Sequence, residues 1–151
     1  MKNVQTTLAT ITVANGYNNT VASVQRFNQA GQVLADTPVL ILMQGGDNVD
    51  NEGPLAGASS LVTRSVSISV VIIHRQDLDV DTRSAAEAMN SLIQDVQKAM
   101  QVDYTRGSYA LNTSEIGIGE LDAEDGEPEL VQTVAFKLSY RHRRTDPTQK
   151  V

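Results

Sequence analysis

The sequence predicts an α+β fold: a mostly antiparallel β-sheet with one long amphipathic helix and a shorter N-terminal helix packed on one face. Three observations carry that prediction. From Leu61 to His74, the residues Val62, Val66, Ile68, Val70 and Ile72 share one face, while Thr63, Ser65, Ser67 and Ser69 alternate on the other. From Val131 to Arg143 the same period returns, with Val134, Phe136, Leu138 and Tyr140 opposed to Thr133, Lys137, Ser139 and Arg141. Between these two strands, Ala85, Met89, Leu92, Ile93, Val96 and Met100 recur at the spacing of a single helix face. This order of strands and helix fits helices laid on one side of an antiparallel sheet.

The elements follow in chain order. Val4, Leu8 and Ile11 sit at helical spacing, although Thr6, Thr7, Thr10, Thr12 and Val13 are β-branched and suit a strand; the short N-terminal helix is the expectation carried forward. Asn15-Gly16 ends that element. Thr20 to Arg26 predicts a short strand, and Gln29-Ala30-Gly31 a turn. Pro38 opens a second apolar strand, Val39 to Met43, at the one strand position where a missing N–H is harmless. Residues 44–60 hold four glycines, one proline and three acids without periodicity, which predicts a long loop of the kind that is usually either functional or mobile until something binds it. Val71 and Ile73 make the end of the Ser/Val-rich strand apolar on both faces, so helices or another subunit must cover both sides there. Ser84 and Glu87 have capping-box spacing ahead of the helix, with Asp81 as an alternative cap. Tyr109 to Leu121 predicts an irregular strand carrying two glycines. The whole, residues 1–151, is expected as one domain with an extended basic C-terminal tail over 141–151.

Composition narrows the function classes. The 151 residues are 40% hydrophobic and 20% charged, too apolar for a disordered chain, and the apolar runs are too short to cross a bilayer. No Cys is present, which removes disulfides, thiol nucleophiles and thiolate metal sites. The first residues lack the apolar core of a signal peptide, so the protein is expected to stay where it is made. A formal net charge of −6 opposes whole-surface attraction to nucleic acid, and six aromatics without Trp offer few stacking platforms.

Motif by motif, the chain yields no enzyme signature. Asp77, Asp79 and Asp81 imitate the start of a calcium loop, but Thr82 and Ala88 stand where its Gly and Glu are needed. Acids at a helix N-terminus, favouring its dipole, explain them better. Glu120, Asp122, Glu124, Asp125, Glu127 and Glu129 place six acids in ten residues around Gly126 and Pro128, a solvated turn or an electronegative surface. Lys137, Arg141, His142, Arg143, Arg144 and Lys150 form a basic end that can grip phosphate or an acidic patch on a neighbouring copy. His74 and His142 each close a long strand. Gly45-Gly46 lacks the residues of a phosphate loop, and no Gly-x-Ser-x-Gly elbow is present. No metal and no cofactor are expected.

The features come in an order that resembles the tail terminator and neck (tail-completion) proteins of tailed bacteriophages. The resemblance rests on Gly16-Tyr17-Asn18-Asn19, Val21 to Phe27, the Pro-led strand Pro38 to Met43, and the long loop with the Ser/Val-rich strand. It continues through the helix Ala85-x3-Met89-x2-Leu92-Ile93-x2-Val96, the turn Asp103-x-Thr105-x-Gly107, Phe136 to His142, and Asp146-Pro147. It spans nearly the whole chain, departing from the family pattern in the Thr-rich N-terminus. What it implies is a non-enzymatic structural virion protein assembled in the bacterial cytoplasm. The implied assembly is a homo-oligomeric ring, a hexamer, that caps the major tail tube protein, stops its polymerisation, docks the head-tail connector and lets DNA pass through its lumen, with no membrane contact. On that reading Gly45, Gly46, Asp47, Asp50, Glu52 and Leu55 form a candidate loop for the tube or connector. The six acids of the 120s form a candidate lumen or axial surface, and Arg141, Arg143 and Arg144 a candidate inter-subunit tail. The alternatives are a head-side neck or connector protein, a monomeric binding module using the long loop, and a small metal-dependent enzyme.

Overall fold

The structure is a computed structural model that describes residues 1–27, 36–52, 61–75, 84–123, 128–144 and 146–150. Its architecture is α+β. Helix α1 (Lys2–Leu8) is followed by a short 3-10 turn (Val13–Asn15), β1 (Ser23–Arg26), β2 (Val39–Glu52) and β3 (Leu61–Arg75). Helix α2 (Ala85–Val102), β4 (Asn112–Ile118), β5 (Asp122–Ala123), β6 (Glu129–Arg143) and β7 (Asp146–Lys150) complete the chain. The sheet order is β1-β2-β3-β6-β4, with β5 and β7 also on β6. Every pairing is antiparallel except β1 with β2.

The N-terminal ambiguity resolves as helix because Val4, Leu8 and Ile11 fall on one side and are fully buried against the core. Burial of each is worth roughly 1.5–3 kcal/mol, which outweighs the small propensity penalty of the threonines. Two of those threonines turn their hydroxyls back to the chain, Thr6 to the Lys2 carbonyl and Thr10 to the Thr7 carbonyl. Gly16, at φ +81°, ends the following 3-10 turn, a left-handed position that glycine takes without a Cβ penalty. Helix α2 starts at Ser84 as a complete capping box: the Ser84 Oγ accepts from the Glu87 N–H, and the Glu87 carboxylate accepts from the Ser84 N–H at 2.8 Å.

Both helices lie on one face of the sheet. Met89, Leu92, Ile93, Val96, Ala99 and Met100 of α2 meet Leu40 and Leu42 of β2, Ile68, Val70 and Ile72 of β3, and Leu130, Val134, Phe136 and Leu138 of β6. The even-numbered positions of β3 and β6 thus face the helices, as the alternation requires. Val71 is half-buried and Ile73 nearly buried on the opposite face.

Two expectations need correction. Residues 44–52 are not loop but the second half of β2, paired with β3 out to Glu52 opposite Val62. Two bulges conceal the strand from a period-two reading. Gly45 and Gly46 together oppose Ser67, and Asp50 is an extra residue between Val49 opposite Arg64 and Asn51 opposite Thr63. Each extra residue reverses the alternation. Likewise the tail is not simply extended: Arg141 to Arg143 finish β6, and β7 folds back along it. The turn at Gln29-Ala30-Gly31 and the acids Asp77, Asp79 and Asp81 lie outside the described residues.

Candidate interaction surface

The three long strands β2, β3 and β6 outrun the helices. At 18 residues α2 is roughly 27 Å long, whereas the 15 residues of β6 span about 50 Å. The hydrophobic cluster ends at Val66 and Leu138. Beyond them, Asp47 to Glu52, Leu61 to Ser65 and Ser139 to Arg143 continue as an arm.

The bulges decide which way the arm's acids point. Val39, Ile41 and Met43 lie on the helix-free face, and plain alternation would put Asp47 with them. The extra residue at Gly45-Gly46 turns Asp47 to the helix side instead, opposite Val66. There Arg64 donates from Nε to Asp47 Oδ1 at 3.0 Å, and the Tyr140 hydroxyl donates to Oδ2 at 2.7 Å. Glycine suits position 45 because a Cβ there would stand 3.2 Å from the Ser67 Cβ; position 46 has room. On the helix-free face, Asp50 accepts from the Ser65 hydroxyl at 2.9 Å and pairs with Lys137 at 3.2 Å. Burial alone pushes the Asp47 carboxyl up, but the Tyr140 and Arg64 hydrogen bonds outweigh it and leave the group below its ordinary range. The Ser65 bond, aided by Lys137, likewise lowers Asp50 against a smaller effect of burial. Burial and the bond to Asp47 both raise the Tyr140 phenol.

The remaining expected site residues fall as follows. Glu52 closes β2, while Leu55 lies outside the described residues. Arg141, Arg143 and Arg144 are exposed at the far end of β6, beside β7. Glu120, Asp122 and Glu129 are exposed at the opposite end of the same strand, where Asp122 pairs with Val131; Glu124, Asp125 and Glu127 lie outside the described residues. His74 is opposite Leu130 and His142 opposite Val62, so the two imidazoles sit at opposite ends of the sheet. Among the described residues, no group of three or more His, Asp and Glu is placed to hold a metal ion. No helix among them is long and apolar enough to cross a membrane.

Two constellations escape the sequence patterns. Asp95, 1% exposed on the buried side of α2, accepts from the backbone and side-chain amides of Asn18 and Asn19 at 2.8 to 3.1 Å. Lys98 donates to the Gly16 carbonyl and stands 4.8 Å above the Tyr17 ring. The segment Gly16-Tyr17-Asn18-Asn19 is thereby fastened to the helix. An acid in an otherwise apolar helix stripe, with an Asn-Asn pair nearby in sequence order, is the signal that marks it. The second constellation is the turn after α2, where Arg106, Gly107 and Ser108 all have positive φ. Arg106 is 2% exposed and donates to Thr113 Oγ1 and to the Met100 carbonyl, capping the helix end from below. Burial draws its guanidinium below the ordinary value, against the pull of Asp103. This turn, the start of α1, Val66, Leu138 and Tyr140 enclose a cleft of about 400 Å³.

Fold and surface together define a two-layer α+β protein whose long strands continue past the helix-packed cluster as an arm, with charged residues along it and Val62 and Ser65 buried within it. No protein-family model and no curated sequence matches the chain.

Proposed function

We propose that this chain is a structural virion protein: a tail terminator that caps the tail tube as a ring, stops its polymerisation and forms the docking surface for the head-tail connector, leaving a channel for DNA. The observation that carries this reading is the arm. Three strands run beyond the helical layer and end in exposed charged borders, acidic on β2 and basic on β6. A ring seated on a tube would use such a projection as contact surface. The ordered resemblance to tail terminators supports the same reading. The three described acids at the other end of β6 suit an axial surface, since carboxylates repel the phosphate backbone that must slide past.

The test is tube growth. Purified tail tube protein is polymerised with and without this chain, and tube lengths and ends are measured by electron microscopy. Shorter tubes closed by a ring are expected. Tubes of unchanged length with bare ends would refute the terminator reading, and binding to connectors without binding to tubes would move the protein to the head side of the neck.

A further inference from the structure

We propose that in the ring the acidic border of β2 in one copy receives the basic end of β6 in the next copy. The inference deepens the ring reading above and rests on it for the number of copies, but the contact itself stands on four observations. First, β1 pairs with β2 only over Val39 to Leu42, so among the described residues Met43 to Glu52 has no outer neighbour strand. Second, this border carries Asp47, Asp50 and Glu52 and no base, whereas the far side of the arm, Arg141 to Arg144 with β7 paired along it, carries three Arg and Lys150 against one acid, Asp146. A border of one sign repels its own twin, so β2 against β2 is disfavoured and the head-to-tail arrangement is selected. Third, the acidic border and the basic end lie at the same level: Asn51, Thr63 and Arg141 share one row across the arm, and Glu52, Val62 and His142 share the next, which Lys150 of β7 extends. A neighbour can therefore dock by rotation without sliding along the strands, which is the condition for closing a ring and avoiding an open helix. Fourth, the acids are held in place. Arg64 with Tyr140, and Ser65 with Lys137, fix the two carboxylates, yet a carboxylate has about four acceptor sites, so each keeps capacity for an incoming guanidinium.

The experiment is sedimentation of the full chain and two charge-reversed variants, R141E/R143E and D50R, alone and mixed in equal amounts, with a melting curve for each to show folding. The wild type is expected to form a closed oligomer that loosens as salt is raised. Each variant alone should associate about tenfold more weakly or worse. The mixture should regain oligomers, because one copy then offers an intact acidic border and the other an intact basic end; a misfolded variant could not do this. Hydrogen exchange should slow over Met43 to Asp50 on assembly. Variants that associate as well as the wild type would overturn the proposal, as would a wild type that stays at 16.3 kDa at every concentration. A wild-type ring that leaves tube growth untouched keeps this interface and removes the terminator function instead.

Discussion

Asp95 occupies the buried side of an amphipathic helix, where a carboxylate is costly unless its oxygens are bonded. Both oxygens are: four N–H groups from Asn18 and Asn19 converge on them. Truncation in Asp95→Ala strands those donors, and a loss of about 2–4 kcal/mol is expected in urea unfolding. Asp95→Asn, which keeps one acceptor, should lose less. A drop below about 0.5 kcal/mol for the alanine variant would show that the Gly16 to Asn19 segment is held by other contacts. At Gly45 the expectation comes from space. Gly45→Ala drives a Cβ toward Ser67 and should cost about 1 kcal/mol, while Gly46→Ala makes only an ordinary contact with the Asn48 amide at 3.8 Å and should be neutral or slightly stabilising. Equal melting temperatures for the two variants would contradict the bulge geometry.

At the scale of elements, the arm carries its own pH dependence. In the folded arm Asp47 titrates below its ordinary value, and unfolding returns it to about 4. A depressed acid contributes stability that is complete above its unfolded pKa and is lost as pH falls through the lower folded value. The Asp47→Asn variant should therefore differ from the wild type by less than about 1 kcal/mol at neutral pH, since solvent screens an exposed pair. The difference should shrink as the pH falls below about 4, read from thermal melts. A difference that grows in acid would reverse the sign of the assigned interactions. The elements also show how far patterning reaches. β3, α2 and β6 were legible because each keeps one period from end to end and buries one face. The second half of β2 was hidden because two bulges shift its phase, at Gly45-Gly46 and at Asp50, and a strand with two phase changes looks like a loop. The acids expected on a tube- or connector-facing loop, Asp47, Asp50 and Glu52, therefore stand on a strand instead. Their partners Arg64, Ser65 and Tyr140 lie 15 to 93 residues away in sequence, and register alone brings them together. Asp95 was missed for a different reason: an acid in a helix pattern ordinarily faces water.

Among the described residues, the two ends of β6 differ in charge. The exposed acids Glu120, Asp122 and Glu129 sit at one end of β6, and Arg141, Arg143 and Arg144 at the other. If the acidic end lines the DNA path, the triple variant E120Q/D122N/E129Q should retain double-stranded DNA about tenfold more strongly at low ionic strength. The gain should vanish at high salt, as measured by fluorescence anisotropy on assembled rings. Unchanged retention would take these acids off the path.

β3 and β6 pair over fifteen consecutive residues without a bulge, unlike the pairings on either side of them. Such an unbroken ladder bends little along its length. The helical layer packs on it from Leu130 to Leu138 of β6, and only Ser139 to Arg143 runs on beyond, so one end of the pair is clamped and the other is free. In the proposed ring, a contact made at the arm tip would then be borne by a stiff cantilever rooted in the packed core, so that the firmness of a seam between subunits is inherited from side chains that never touch it.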